Sequence, residues 1–301
     1  MLYRRSLRNL IRMICLSTLL ITSHVAAETL VLAQLSDRPK KDFKQLRPMA
    51  KYVAKQLGHV GITRAEVRLF SELDELVEAV KNGDVHWVTE TPYSAAVLVH
   101  EADAVPLVMK WKSRQQRYQT LIYTHKDSGL KSLQDLNGKR IAFEHNNSFS
   151  SYYLPRLILE KQGQRLNQIK GLHAEQDSNK VNYLFSRNEK NNLLWVHKQL
   201  VEAGALNDGD WQNPGRVPEA LKAELRIIYR SKPYPRALEL VSSKLSAERA
   251  AALKALLLGM TPDSHGKLLS RYEKTSGFEA LNDDVPKLLA EIYNNSRNWA
   301  E

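Results

Sequence analysis

Two short stretches carry the residue types needed to hold a small anion without a metal or a cofactor. Asn147, Ser148, Ser150 and Ser151 precede one predicted helix, and Thr89, Thr91 and Ser94 flank the start of another. A helix start offers free N–H groups and the positive end of a dipole. Hydroxyls and amides gathered there add neutral donors. Each such hydrogen bond contributes about 0.5–1.5 kcal/mol net, so several must act together to reach micromolar binding, about −8 kcal/mol. Tyr93 and Tyr118 are candidate walls with hydroxyl donors. Phe149 is a candidate apolar wall, which points to a ligand carrying more than a bare oxyanion. The same serines and asparagines are also common helix caps, and the tyrosines and Phe149 common packing residues.

Other chemistries find little support. The nine histidines include no close pair at ligand spacing: His86, His100, His125, His145 and His197 are scattered, so no metal or cofactor is expected. No Gly-rich phosphate loop and no Gly-x-Ser-x-Gly elbow is present, and no residue is assigned a catalytic role. The lone cysteine, Cys15, lies in an N-terminal stretch with the marks of an export signal. Arg4, Arg5, Arg8 and Arg12 are its basic part, Met13 to Ile21 its apolar part, and Val25-Ala26-Ala27 its small-residue end. That run is too short for a membrane span of about 20 apolar residues. Cleavage after Ala27 is expected, giving a periplasmic protein without thiols. It removes four arginines and no acid, taking the net charge from +11 to +7. The surplus is spread along the chain, as on a solvated surface, or as attraction for anions or an acidic partner. Nucleic acid is not an expected partner, since no binding motif occurs.

The elements that must position these residues alternate. Leu30 to Ala33 reads as a buried strand. Phe43, Leu46, Ala50, Val53 and Leu57 share one helical face, with Pro48 placed in an early turn or at a kink. Val67 and Leu69 alternate as in a strand, and Ser71 to Asp74 reads as a capping box before a helix that stops at Asn82-Gly83. A strand at Val85 to Val88 breaks at Thr89-Glu90-Thr91-Pro92 into a helix from Tyr93 to Glu101. The pattern restarts with strands at Tyr118 to Thr124 and Arg140 to Phe143, then a helix with Leu154, Leu157, Ile158 and Lys161 inward. Residues 179–201 read as an interrupted helix, followed by strands at 203–206, 225–229 and 237–241 and helices at 247–259 and 285–294. This pace predicts an α/β protein of two lobes joined by two crossing strands. The expected division is 1–27 signal peptide, 28–120 with 230–301 one lobe, and 121–229 the other.

Several motifs carry a resemblance. Lys81-Asn82-Gly83-Asp84-Val85 precedes Thr91-Pro92-Tyr93-Ser94, and Arg117-Tyr118 precedes Lys126-Asp127-Ser128-Gly129 and Ser132 to Lys139. The loop from His145 to Leu154, then Glu202 to Ala205 and Tyr234-Pro235-Arg236, complete the set. From about Glu28 to Gly259 the chain resembles the periplasmic phosphate/phosphite/phosphonate-type binding proteins of ABC transporters, with the type II periplasmic binding protein fold. The resemblance implies a binding protein, not an enzyme, that closes on a small anionic ligand and delivers it to a membrane permease. A ligand-presenting partner of a membrane sensor is the second class. It also implies Ser148 and Ser150 as ligand residues, and Asn179 where the family has histidine. His145-Asn146 stands where the family has Asp-Pro, Phe149 replaces a threonine and Ser151 a glycine. These departures bear on ligand specificity rather than on fold.

Overall fold

The computed structural model describes residues 28–299; the expected signal peptide lies outside the described residues. The chain opens with strands and crossover helices in turn: β1 (Glu28–Leu35), α1 (Pro39–Gln56), β2 (Ile62–Phe70), α2 (Leu73–Asn82), β3 (Trp87–Glu90), α3 (Pro92–Glu101) and β4 (Val105–Lys112). Pro39 and Pro92 stand at helix starts, where a missing N–H is harmless. Gly83 ends α2 at φ 83°, a conformation that suits glycine.

After β5 (Arg117–Tyr118) the chain enters a second unit. It holds β6 (Thr120–His125), β7 (Arg140–Phe143), α4 (Leu154–Lys161), β8 (Leu166–Gln168), β9 (Val181–Phe185), α5 (Glu189–His197), β10 (Ala203–Asn207), α6 (Asp208–Gln212), α7 (Glu219–Lys222) and β11 (Leu225–Arg230). The chain returns through β12 (Tyr234–Pro235) to β13 (Ala237–Val241), α8 (Ala247–Leu258), α9 (Pro262–Arg271), β14 (Thr275–Ala280) and α10 (Asp284–Ser296).

Two six-stranded mixed sheets result, in the orders β14-β4-β13-β3-β1-β2 and β11-β6-β10-β7-β9-β8. The strands that cross between them pair antiparallel, with Tyr118 opposite Tyr234 and Arg117 opposite Pro235. Both sheets are buried on two faces, so central strands read as continuous apolar runs. In β1, Leu30 and Leu32 pack into one core and Val31 and Ala33 into the other. In β6, Leu121 and Tyr123 face one core and Ile122 the opposite one.

Several expectations are corrected. Residues 181–185 are a strand, not a helix, pairing parallel with β7 on one side and β8 on the other. Their Val, Tyr, Leu and Phe suit a strand buried on both faces. The supposed interruption at Asn188 is the N-cap of α5, its side chain accepting from the Asn191 N–H at 2.9 Å. Helix α2 begins one residue beyond Glu72 with no side-chain cap, so Ser71 to Asp74 forms no capping box. Phe43 is 40% exposed, because the start of α1 overhangs the sheet edge. Of the two places expected for Pro48, the early turn is excluded, since it sits inside the helix. Lys161 is exposed, and Leu159 takes the inner position of α4. The strands β4 and β14 and the helix α9 were not anticipated.

Candidate functional site

The parallel strands of both units point their C-terminal ends at a cleft of about 590 Å³ between the sheets. Ligands gather at such strand ends in open α/β sheets. One wall is the loop after β1, with Asp37 and Arg38, and Asp42 in the first turn of α1, together with the β3–α3 junction at Glu90 and Thr91. The other is the loop after β7, running from Glu144 to Ser150, with Glu189, Asn207 and Asp210. Tyr118 and Arg236 come from the two crossing strands at the back.

Of the residues singled out in the sequence, Thr91, Tyr118, Asn147, Ser148, Phe149 and Ser150 line this cleft. Among the described residues, Thr91 Oγ1, the Tyr118 hydroxyl and Arg236 Nε are buried polar atoms without a hydrogen-bond partner of good geometry, although Ser150 approaches the Tyr118 hydroxyl. The Arg236 guanidinium lies 4.5 Å from the centre of the Tyr118 ring. Burial pushes the Tyr118 phenol far up, so it remains a neutral donor. Ser148 opens a π-helical turn, Phe149–Tyr153, a form of helix that recurs at functional sites. Its Oγ accepts from the Ser151 N–H at 3.2 Å, and its hydroxyl donates to Glu144 at 2.8 Å. Phe149 reaches the cleft but belongs to the core, stacked on Tyr153 at 5.4 Å and edge-on to Tyr234 at 5.4 Å.

Three expected residues lie elsewhere. Tyr93 is not part of the cleft lining; its ring stacks on Tyr153 with centroids 4.9 Å apart. Ser151 is buried behind the lining, its Oγ unpartnered. Asn179 is exposed, its N–H donating to Asp177 at 2.9 Å. It precedes β9 and therefore sits at the N-terminal end of that strand, opposite the cleft. The segment reaches the cleft through Glu189, at the first turn of α5, instead.

The charges are finely divided. Burial raises the Glu90 carboxyl to about 7, although it accepts from the Leu35 N–H at 2.7 Å and the Thr91 N–H at 3.2 Å. Burial and the neighbouring Glu189 hold Glu144 well above the usual carboxylate range. Glu189 is lowered despite its burial, by the hydrogen bond from Glu144 and by Arg216 and Arg38. The two carboxyls therefore titrate as a pair, with proton affinity raised on the Glu144 side and lowered on the Glu189 side. Burial lowers His145, leaving it neutral at pH 7.

Glu90 gives a pH signature. Its proton affinity is higher in the folded chain than at the ordinary value of 4.5, so its contribution to stability is full below pH 4.5 and lost as pH rises through about 7. Calorimetric unfolding midpoints are expected to fall less between about pH 5 and 8 in Glu90→Gln than in the unaltered protein, by roughly 3 kcal/mol of stability. Parallel profiles for the two proteins would show that Glu90 stays ionised.

A family model for the periplasmic substrate-binding protein of phosphonate ABC transporters matches residues 33–285. The chain belongs to this family. Members are binding components of transporters rather than enzymes, and they are periplasmic. XAC2383 from Xanthomonas citri, in a structure bound to chloride, is 30% identical, with a TM-score of 0.85 over 90% of this chain and 98% of that one. The same protein bound to ATP gives 29% and 0.84, over 90% and 97%. PhnD1 from Prochlorococcus marinus, in complex with methylphosphonate, is 17% identical with a TM-score of 0.68, over 91% and 99%, a likeness of fold. No curated protein matches the chain.

Behind the first wall of this binding protein lies a buried ionic network that sequence reasoning missed. Lys110, 0% exposed, donates to Glu273 at 2.7 Å and lies 3.5 Å from Glu239, also 0% exposed. Lys110 further donates to Thr89. Glu239 accepts from Trp87 Nε1 at 2.6 Å and from the Tyr272 hydroxyl at 3.0 Å. Burial alone would lower Lys110, but Glu273 and Glu239 override it and raise it. Burial opposes ionisation of Glu273, yet Lys110 and Lys112 hold it well below the usual range. For Glu239 burial prevails over Lys110, and its carboxyl is raised. Lys110–Glu273 is therefore the firm ion pair. Lys112 extends it into the cleft lining, 2.6 Å from Glu273. Glu273 and Lys274 both adopt left-handed backbone, φ 52° and 58°, as do Ser113 and Arg114 at 55° and 66°. The two turns are joined by the Ser113 N–H donating to Lys274 O at 2.8 Å. Non-glycine residues held there cost of order 1–3 kcal/mol each, and such strain clusters at ligand clamps.

Proposed function

We propose that this protein captures a small phosphoryl or similar oxyanion between its lobes and presents it to the membrane permease of an ABC transporter. One observation carries the reading: Thr91 Oγ1, the Tyr118 hydroxyl and Arg236 Nε are buried donors on one cleft that lack a well-placed partner among the described residues. Thr91 belongs to one wall and Tyr118 and Arg236 to the crossing segments, while Asn147, Ser148 and Ser150 line the same cleft from the other wall, so a single oxyanion touching both sides would tie the lobes together. Ligand contacts made in the closed form alone shift a hinged protein toward closure. A cleft of about 590 Å³ leaves room for more than the oxyanion itself. Phosphonates and nucleotides share that head group, and the bound ligands of PhnD1 and XAC2383 support including both.

A thermal-shift series with chloride, phosphate, phosphite, methylphosphonate and ATP tests the reading. A phosphoryl compound present at about 100 times its Kd should stabilise the fold by about 2.7 kcal/mol, roughly 5–10 °C. Silence from every phosphoryl compound, or a response to chloride alone, would remove the phosphoryl assignment.

A further inference from the structure

On the side of α1 away from the cleft, the start of that helix and the strand β2 form an apolar groove of about 470 Å³. Pro39, Phe43, Val67 and Leu69 line it, with Lys40 and Lys44 on its rim. Among the described residues β2 is the last strand of its sheet and pairs only with β1, so nine residues of outer backbone face no other described strand. A long free edge is a template for another strand.

The surroundings are basic. Lys40, Lys44, Arg47, Lys51 and Lys55 recur every three or four residues, which places them in one exposed stripe of α1. Among the described residues no carboxylate pairs with any of them, since Asp42, the helix's acid, is buried on the cleft side and bonded to Ser36. Arg64 and Arg68 on β2 are exposed as well, with Glu66 between them.

We infer that this edge takes an extended, acidic and partly apolar segment of a partner protein, added as a strand outside β2. Strand addition would satisfy the outer N–H and C=O groups of β2, and every second side chain of the segment would enter the groove beside Phe43, Val67 and Leu69. The intervening positions would point to the other face of the sheet beside Arg64 and Arg68, while Lys40 and Lys44 rim the groove itself; carboxylates are favoured at both places and cations repelled. A flat anionic bilayer would meet the lysine stripe but leave the groove and the strand edge unused. A second copy of this chain would bring further arginines to Arg64 and Arg68. The inference stands apart from the ligand reading and uses none of the cleft residues.

The test uses a fluorescent ten-residue peptide that alternates glutamate and valine, with a lysine and valine peptide of the same pattern as control. Anisotropy should show the acidic peptide binding at least tenfold tighter than the basic one, with affinity falling as salt rises. Lys44→Glu combined with Arg68→Glu should abolish that preference, and Phe43→Asp should weaken binding several-fold, both variants retaining the unaltered melting temperature. Hydrogen exchange at Ala65 to Leu69 should slow when the acidic peptide is present. Equal affinity for the two peptides, or no protection of β2, would overturn the inference. So would binding to phosphatidylglycerol vesicles that Phe43→Asp leaves intact, or a dimer dispersed by the charge reversals in the absence of peptide.

Discussion

Replacing Lys110 by methionine is expected to lower the unfolding midpoint by roughly 6–20 °C. The side chain is wholly buried between Glu273 and Glu239, and its removal leaves Glu239 without a cation and Glu273 with Lys112 alone to offset its desolvation. Breaking a buried pair from one side costs about 3–5 kcal/mol. The sign reverses when all the charges go together: Glu239→Gln and Glu273→Gln added to Lys110→Met should recover part of the loss. Lys112 would then lose its partner at 2.6 Å, so the recovery stays incomplete. Differential scanning calorimetry on the single and triple variants decides it. A shift under about 2 °C for Lys110→Met would mean that water or a shared proton already compensates the network.

The second large effect lies in binding rather than stability. Arg236→Met should weaken binding of the phosphoryl compound selected by thermal shift by roughly 10- to 150-fold, the equivalent of a charged hydrogen bond of about 1.5–3 kcal/mol. Its Nε has no partner among the described residues, and the guanidinium rests on the Tyr118 ring. The unliganded melting temperature should therefore move by no more than about 2 °C. Isothermal titration calorimetry reads the affinity. An unchanged Kd would place the oxyanion away from the crossing strands.

The parts of this molecule that sequence reveals are those in which neighbours along the chain decide the outcome. Strand β1, the stripe Leu46, Ala50, Val53, Leu57 and the stop at Gly83 follow from local pattern and backbone preference. The serine-bearing loop after β7 was legible because a turn leading into a helix leaves N–H groups exposed. Residues 181–185 were not, since their apolar side chains also fit helical spacing with Leu193 and Val196, and parallel pairing with β7 settles the matter. Asn179, singled out through the family resemblance, lies at the N-terminal end of β9 instead, and reading 181–185 as helix concealed Glu189. Glu239 and Lys110 are distant in sequence, and Glu90, Glu144 and Glu189 look like ordinary surface acids until the fold encloses them. Burial of a charge depends on partners that no local window contains.

Tyr118 and Arg236 sit on or beside the paired crossing strands, close to the axis about which the lobes would turn. Groups near an axle travel little while the jaws sweep wide. On the proposed reading, an incoming oxyanion docks first on these two residues, before either jaw has moved. Substitutions there should slow capture, whereas changes in Thr91 or the Ser148 loop should shorten the time the cargo stays held.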